Sequence, residues 1–337
     1  MDVFRQDAFS AISMTAAIQD LEFVPGFLGQ LGLFTPNPVR TTDVTVERRG
    51  ASLKVIPTSE RGAPRTRRNP DRRNVRNFRT VRLAETDRLM ADAIQNIRAF
   101  GSETELESLQ VELARRQAIL GQDLELTLER HRLSCINGIL LDADDSEIYD
   151  YYDEFGIVAP TELGFNWAAR TGVKKYIADN VKRPMIRALG GRAVPGMRIM
   201  ALCGDDFYDD LQENAEYRAV YLQTNAARAA LLEDKTFDSV QAWGVEWVNY
   251  RGTDDNSTVA IASDKCKFIP VGVPNVFQVA YSPAEGFDFV NTLGQERYSM
   301  VVPDPTTRNE YADLDVASYP LHICTTPEAL LSGRTGA

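Results

Sequence analysis

Residues 103–133 read ETELESLQVELARRQAILGQDLELTLERHRL, a stretch with no proline and one glycine, Gly121. Leu106, Leu109, Leu113, Leu120, Leu124 and Leu128 fall at spacings that share one helical face, with Gln117 filling the missing step as a polar defect. Ser102 precedes the stretch as an N-cap, and Glu105 stands three positions on, as in a capping box. Thirty-one helical residues would span about 46 Å at roughly 1.5 Å each. A stripe this long and one-sided predicts one continuous helix laid across a sheet of the same chain. A coiled coil and a break at Gly121 are the alternatives.

Working outward toward the N-terminus, residues 84–100, AETDRLMADAIQNIRAF, predict a helix with Leu89, Ile94 and Ile97 to one side, ended by Gly101. Before it lies a charged loop between two strand-like legs, over roughly residues 46–83. Val44 and Val46 alternate with Asp43, Thr45 and Glu47; Leu53 and Val55 repeat the pattern after Gly50; Phe78, Val81 and Leu83 restore it at the far end. The centre, with Arg61, Arg65, Arg67, Arg68, Arg72 and Arg73, has almost no apolar side chain to bury. Residues 7–18 suit a short amphipathic helix. In FVPGFLGQLGLF, Phe23, Phe27, Leu28, Leu31, Leu33 and Phe34 stand among glycines that disfavour an isolated helix. That segment is either a loop pinned to its own core or an arm buried against a neighbouring subunit.

Toward the C-terminus, Ile139 and Leu141 suggest a strand, and seven acidic side chains follow between Asp142 and Glu154. Ile157 and Val158 suggest another strand, and TELGFNWAARTG irregular chain. Residues 173–189 predict a helix in which Pro184 allows a kink or a junction. Met197, Ile199 and Ala201 alternate as a strand, and Asp205 is placed to cap a helix beginning near Phe207. Residues 257–263 and 268–281 look like strands, and the last recognisable strand is Leu321 to Cys324. Long helices on a few separated sheets, without a repeated βαβ rhythm, define an α+β fold.

Charge is segregated. The chain of 337 residues has a formal net charge of -11, yet between Arg48 and Arg82 there are twelve basic and two acidic residues. Everything else therefore carries a net charge of -21. Such a loop suits the acidic body of another copy; folding back on its own body is the alternative. A nucleic-acid-binding structural protein using residues 61–82 is the rival function, although Phe78 is the only aromatic nearby and supports no base-stacking platform.

Catalytic readings find no constellation. His131 suits the C-terminal end of the long helix as a cation, and both it and His322 read as satisfied structural histidines. His131 and Cys135 are four apart, but no second pair completes a zinc site. Asp142, Asp144, Asp145 and Glu147 lack the glycine and the twelfth-position glutamate of an EF-hand. No phosphate-binding glycine motif and no nucleophile elbow occurs. No enzymatic activity, cofactor or metal is expected. Cys135, Cys203, Cys266 and Cys324 form no CxxC pair and read as reduced, partly buried side chains. No signal peptide or membrane span is expected, which places synthesis in a reducing cytoplasm.

The order of arm, strand-legged loop, long helix, α+β material and late strand resembles the lambda-like major capsid protein family of tailed bacteriophages, with the HK97-like capsid fold. The segments that carry the resemblance are FLGQLGLFTPNPVRTTDVTVERRG, FRTVRL leading into ETELESLQVELARRQAILG, INGILLD, NVKRPMIRALGG and YPLHICTTPEALLSG. The resemblance implies an N-terminal arm over 1–45, an extended loop over 46–83 and a peripheral domain over 84–165 with its spine helix at 103–133. It further implies an axial domain over 166–300 and a return to the peripheral domain over 301–337. Implied with these are a self-assembling icosahedral head shell of pentamers and hexamers, made in the bacterial host cytoplasm and enclosing packaged double-stranded DNA. Portal and scaffold proteins, and sometimes a decoration protein, are the implied partners. The expected intersubunit contacts are Phe27, Phe34, Arg65, Arg67, Arg68, Arg72 and Arg73, joined noncovalently.

Overall fold

The computed structural model describes residues 26–49, 73–91, 105–222, 239–250, 252, 259–305 and 310–336. Helix α1, Glu105–Asn137, is continuous through Gly121 and runs four residues beyond the expected end at Leu133. It stops where Gly138 takes a positive φ of 87° and its N–H bonds back to Cys135 O at 3.0 Å. A Cβ there would lie 2.3 Å from the Tyr152 ring, so only glycine fits this exit.

From Leu113 to Leu128 the leucine face does what its spacing predicts, and the side chains of Leu106 and Leu109 lie outside the described residues. Leu113, Leu120, Leu124 and Leu128 are buried with Leu89, Leu314 and Val316. Those partners belong to a three-stranded sheet ordered β13-β14-β4, made by Tyr298–Pro303, Tyr311–Ser318 and Leu83–Met90. Residues 83–90 are therefore a strand, which corrects the helix expected from Ala84; residues 92–100 of that expectation lie outside the described residues. The same letters satisfy a two-residue period, in which Leu83, Asp87 and Leu89 turn toward α1. On the other face Thr86 and Arg88 stand directly opposite Asp315 and Asp313 and bond to them, at 2.7 Å for Thr86 and at 2.7 and 3.0 Å for Arg88. These pairings across 225 residues and more tip an ambiguous segment into the sheet.

A second three-stranded sheet, ordered β1-β12-β15, consists of Thr35–Pro38, Phe277–Tyr281 and Pro320–Cys324. The third and largest sheet has six strands in the order β7-β16-β11-β8-β10-β9. These are Leu163–Phe165, Leu331–Thr335, Lys265–Val271, Arg198–Cys203, Val245–Asn249 and Ser239–Ala242. Central β8 is buried from Ile199 to Cys203 and shows no alternation, as expected of a strand covered on both faces. Phe165, Trp167, Phe207, Trp247 and Phe268 pack together around this sheet, Phe165 stacked on Trp167 and Phe268 and other pairs edge to ring, with centroids 5.0 to 6.5 Å apart.

Several boundaries move. Leu321–Cys324 is not the last strand: β16 follows a short 3-10 turn, Pro327–Ala329, and inserts between β7 and β11. Residues 259–263 form no strand, 257–258 lie outside the described residues, a strand follows at Lys265–Val271, and 268–281 holds parts of two strands. Residues 157–158 form no strand, whereas 163–165 does. The acidic segment instead makes β5 (Ile139–Leu141), β6 (Glu147–Asp150) and α2 (Tyr151–Phe155), the last capped by the Asp150 carboxylate. Asp205 is not a cap: Gly204 precedes α5, Asp205–Glu213. Around Pro184, α3 (Val173–Ile177) passes through a π turn, Ala178–Lys182, into α4 (Arg183–Leu189) without a break. The wide turn makes room for the proline ring. Sheet membership also cuts across the expected 166–300 and 301–337 boundaries. Strands at 163–165 and 331–335 join the six-stranded sheet, and those at 277–281 and 298–303 belong to the two sheets near α1.

Candidate assembly surface

The elements expected to meet neighbours begin with a ribbon. β2 (Asp43–Arg49) and β3 (Arg73–Arg79) pair antiparallel from Asp43 opposite Arg79 to Arg49 opposite Arg73. The legs expected at 46–83 are thus a two-stranded ribbon. Arg65, Arg67, Arg68 and Arg72 lie outside the described residues, and Arg73 is described in its backbone only. The ribbon is fixed at its foot. Phe78 is buried and packs edge-on to Tyr149 at 5.3 Å and Tyr151 at 6.1 Å, and the Arg79 N–H donates to Tyr149 Oη at 2.9 Å. A foot anchored on β6 and α2 makes the ribbon a fixed arm whose outer end belongs to the loop.

The apolar segment before the ribbon is pinned to its own chain. Leu28 is buried, and Phe27 packs edge-on to Tyr250 at 6.0 Å. Phe34 meets Phe277 at 5.3 Å and His322 at 5.0 Å, and residues 35–38 run parallel to β12. Both phenylalanines are only half-buried. Their contacts fit the pinned-loop reading, while the uncovered part of each ring is still open to a neighbour. Phe23 lies outside the described residues.

Beneath this segment is a buried charged node that the sequence reading missed. The Glu129 carboxylate accepts the Leu28 N–H at 2.7 Å, the Gly29 N–H at 3.1 Å and the Tyr250 hydroxyl at 3.2 Å. Arg132 bonds to Glu129 at 3.3 Å and to Glu125, which Arg297 also engages. Burial, and next the Glu129 charge, hold the Tyr250 phenol above its ordinary range, so it remains a donor. Glycine is required where the arm crosses: a Cβ on Gly26 would lie 2.4 Å from Glu129 Cδ, and one on Gly29 2.9 Å from Arg132 Nη1. The available signal was the spacing of Glu125, Glu129 and Arg132, positions i, i+4 and i+7 of one helical face.

His131 and His322 are buried beside the node, with ring centroids 6.1 Å apart. Neither has a side-chain hydrogen-bond partner among the described residues, which corrects the reading of them as satisfied histidines. Burial is the main reason that His131 is pushed down to about 4 and His322 well below its ordinary range, so both are neutral at pH 7. His131 is thus not the charged partner of a helix dipole.

All four cysteines are free and fully buried, deeper than expected, and burial pushes the Cys135 and Cys266 thiols well above their ordinary range. Among the described residues no group of three His, Cys, Asp or Glu side chains could hold a metal ion, and no helix is long and apolar enough to cross a membrane. Around the acidic turn, Asp142 and Asp144 accept backbone N–H groups at 2.7 and 3.0 Å, and Arg130 pairs with Asp145 at 2.6 Å.

A two-stranded ribbon, a long helix over a sheet, and a six-stranded sheet together fit the HK97-like architecture of phage capsid subunits. The capsid of Cyanophage P-SCSP1u superposes with a TM-score of 0.55 over 90% of this chain and 86% of that one, at 11% identity. The family model described as phage major capsid protein E matches residues 10–335, and the chain belongs to that family. It is 24% identical to the major capsid protein of Salmonella phage Felix O1, covering 99% of this chain and 98% of that protein. It is 22% identical to the major capsid protein of Pseudomonas phage KPP10, covering 98% and 97%. The chain is a capsid protein whose copies form the shell of a phage head, and its role is structural.

Proposed function

We propose that copies of this chain gather into pentamers and hexamers of an icosahedral head that closes around packaged double-stranded DNA. It is made in the host cytoplasm, with portal and scaffold proteins as partners, joined in some heads of this kind by a decoration protein. On this reading residues 1–45 are the arm, 46–83 the extended loop, and the sheets around α1 the peripheral domain. The six-stranded sheet is the core of the axial domain.

The observation that carries the reading is the anchored ribbon leading into a basic loop, on a body of opposite charge. Arg65, Arg67, Arg68, Arg72 and Arg73 reach acidic surfaces of adjacent copies, where the planar guanidinium grips a carboxylate through two parallel bonds. One exposed pair contributes only about 0–1 kcal/mol, so the effect depends on several contacts repeated over a closed lattice. Replacing the five arginines together by glutamine tests it. The expected result is a monomer with an unchanged circular dichroism spectrum that fails to form shells in sedimentation. Normal shells with unchanged resistance to salt would reduce the loop to a solvated surface.

A further inference from the structure

Residues 166–200 hold eight basic side chains and one acidic, Asp179. They are spread thinly enough that no short window stands out. The helix over 173–189 gathers five of them. Val173, Ile177, Val181, Met185 and Leu189 are buried in the core and fix the helix by one side. The Glu216 carboxylate holds its first turn, accepting the N–H groups of Gly172 and Val173, the latter at 3.0 Å. Lys174, Lys175, Arg183 and Arg187 are left exposed, with Lys182 half-buried among them.

Partners within the chain account for only some of this charge. Arg183 pairs with Asp179, Arg198 with Glu246 at 3.4 Å, and Arg192 donates to Thr325 Oγ1 at 3.0 Å. Arg170 lies 3.7 Å over the Tyr176 ring and donates to Gly164 O. Lys174, Lys175, Lys182 and Arg187 have no ion pair among the described residues. Burial, and next the charge on Lys174, draw the Lys182 ammonium below its ordinary range, as befits crowded cations without an anion.

We propose that the solvent face of 174–187 binds the phosphate backbone of double-stranded nucleic acid, without regard to sequence. From Lys174 to Arg187 the face runs about 20 Å at roughly 1.5 Å per residue. A duplex offers about one negative charge per 1.7 Å of its axis, so several phosphates lie within reach of the strip. Single strands are bound through exposed aromatic platforms. Here Tyr176 is covered by Arg170, which leaves phosphate contact as the mode. Lysine is depleted in protein–protein interface cores, and this face contains three. With both basic segments set aside, the rest of the chain is more acidic still, so a rod of negative charge is admitted along this strip and repelled elsewhere. The inference rests on the proposed enclosure of duplex DNA and names the surface that meets it.

The test uses the unassembled full-length chain and a fluorescein-labelled 30-base-pair duplex of arbitrary sequence, followed by anisotropy from about 50 to 250 mM potassium chloride. The variant with Lys174, Lys175, Lys182 and Arg187 replaced by glutamine is compared with wild type and with the five-arginine loop variant. Circular dichroism checks folding, and sedimentation reads shell formation separately, so the shell reading stands or falls on its own measurement. The helix variant is expected to lose at least about tenfold in affinity. The slope of log affinity against log salt should shrink by about 3.6, near 0.9 for each of the four phosphates no longer neutralised. Shell formation should persist. Unchanged binding, or binding abolished only in the loop variant, overturns the proposal. So does a helix variant that binds duplex normally but forms no shells, which would make the face a contact between copies.

Discussion

The two halves of α1 bury different chemistry in one helix. From Leu113 to Leu128 it lays leucines on a sheet, interrupted by the buried Gln117, which donates to Ser299 at 3.4 Å. From Glu125 to Arg132 it buries two carboxylates, a guanidinium and a histidine, and then returns to apolar packing at Leu133, Cys135 and Ile136. Apolar burial is non-directional and stabilises by area, at roughly 25 cal/mol per Å². A buried ion cluster is directional: it adds little net stability but is costly to leave half-made, so it holds one arrangement of its partners. The stripe therefore keeps α1 on its sheet. The node fixes how the segment at Leu28 and Gly29, the strand ending near Tyr250 and the chain at Arg297 meet the helix.

This contrast is broken most severely at Arg132. Arg132→Met strands Glu125 and Glu129 with part of their partners gone, and chemical denaturation should show a loss of about 3–5 kcal/mol. Changing Glu125, Glu129 and Arg132 together to leucine or methionine should recover most of that loss. The released backbone N–H groups of Leu28 and Gly29 should then exchange faster with deuterium. A triple variant as unstable as the single one would show the node to be a true source of stability.

Next comes the stripe. Leu124→Ala or Leu113→Ala should cost about 2–5 kcal/mol by the same measurement, without moving hydrogen exchange at Leu28. A loss well under 1 kcal/mol would mean that the helix does not depend on the sheet beneath it.

A further effect is set by acid. His131 and His322 titrate lower in the folded chain than in the unfolded one, where the ordinary value is about 6.5. Between about 6.5 and about 4 the unfolded chain holds protons that folded His131 refuses, so stability falls as pH drops. The slope is about 1.4 kcal/mol per pH unit for each histidine. Glu112, held down to about 2 first by its hydrogen bond to Arg115 and then by that to Arg116, adds a loss in the same direction as pH falls from about 4.5. His322 faces Phe34 and His131; His131 lies near Arg130, Arg132 and Asp142. His131→Leu should flatten the upper part of this profile. An unchanged profile would place the acid sensitivity elsewhere.

The sequence by itself determined whatever depends on neighbours along the chain. The leucine spacing gave α1, alternation with glycine gave the ribbon legs, and charge counting isolated the arginine loop. These signals are local because a helix or a hairpin satisfies most of its own backbone. Tertiary structure decided whatever depends on distant partners. Residues 84–90 suit a helix in isolation and become a strand because residues 311–318 lie alongside them. Leu331–Thr335 has no strand-like composition, and its Gly333 fits where a Cβ would lie 2.8 Å from the Cys266 sulfur. Phe27 and Phe34 look alike as a neighbour's anchors or as their own chain's, and only the fold shows that Tyr250, Phe277 and His322 lie against them. Glu129 meets Leu28 across 101 residues, and the cations of 174–187 become one face only once five apolar side chains have fixed the helix to the core. Local spacing sets which side chains share a face; only packing sets what that face meets.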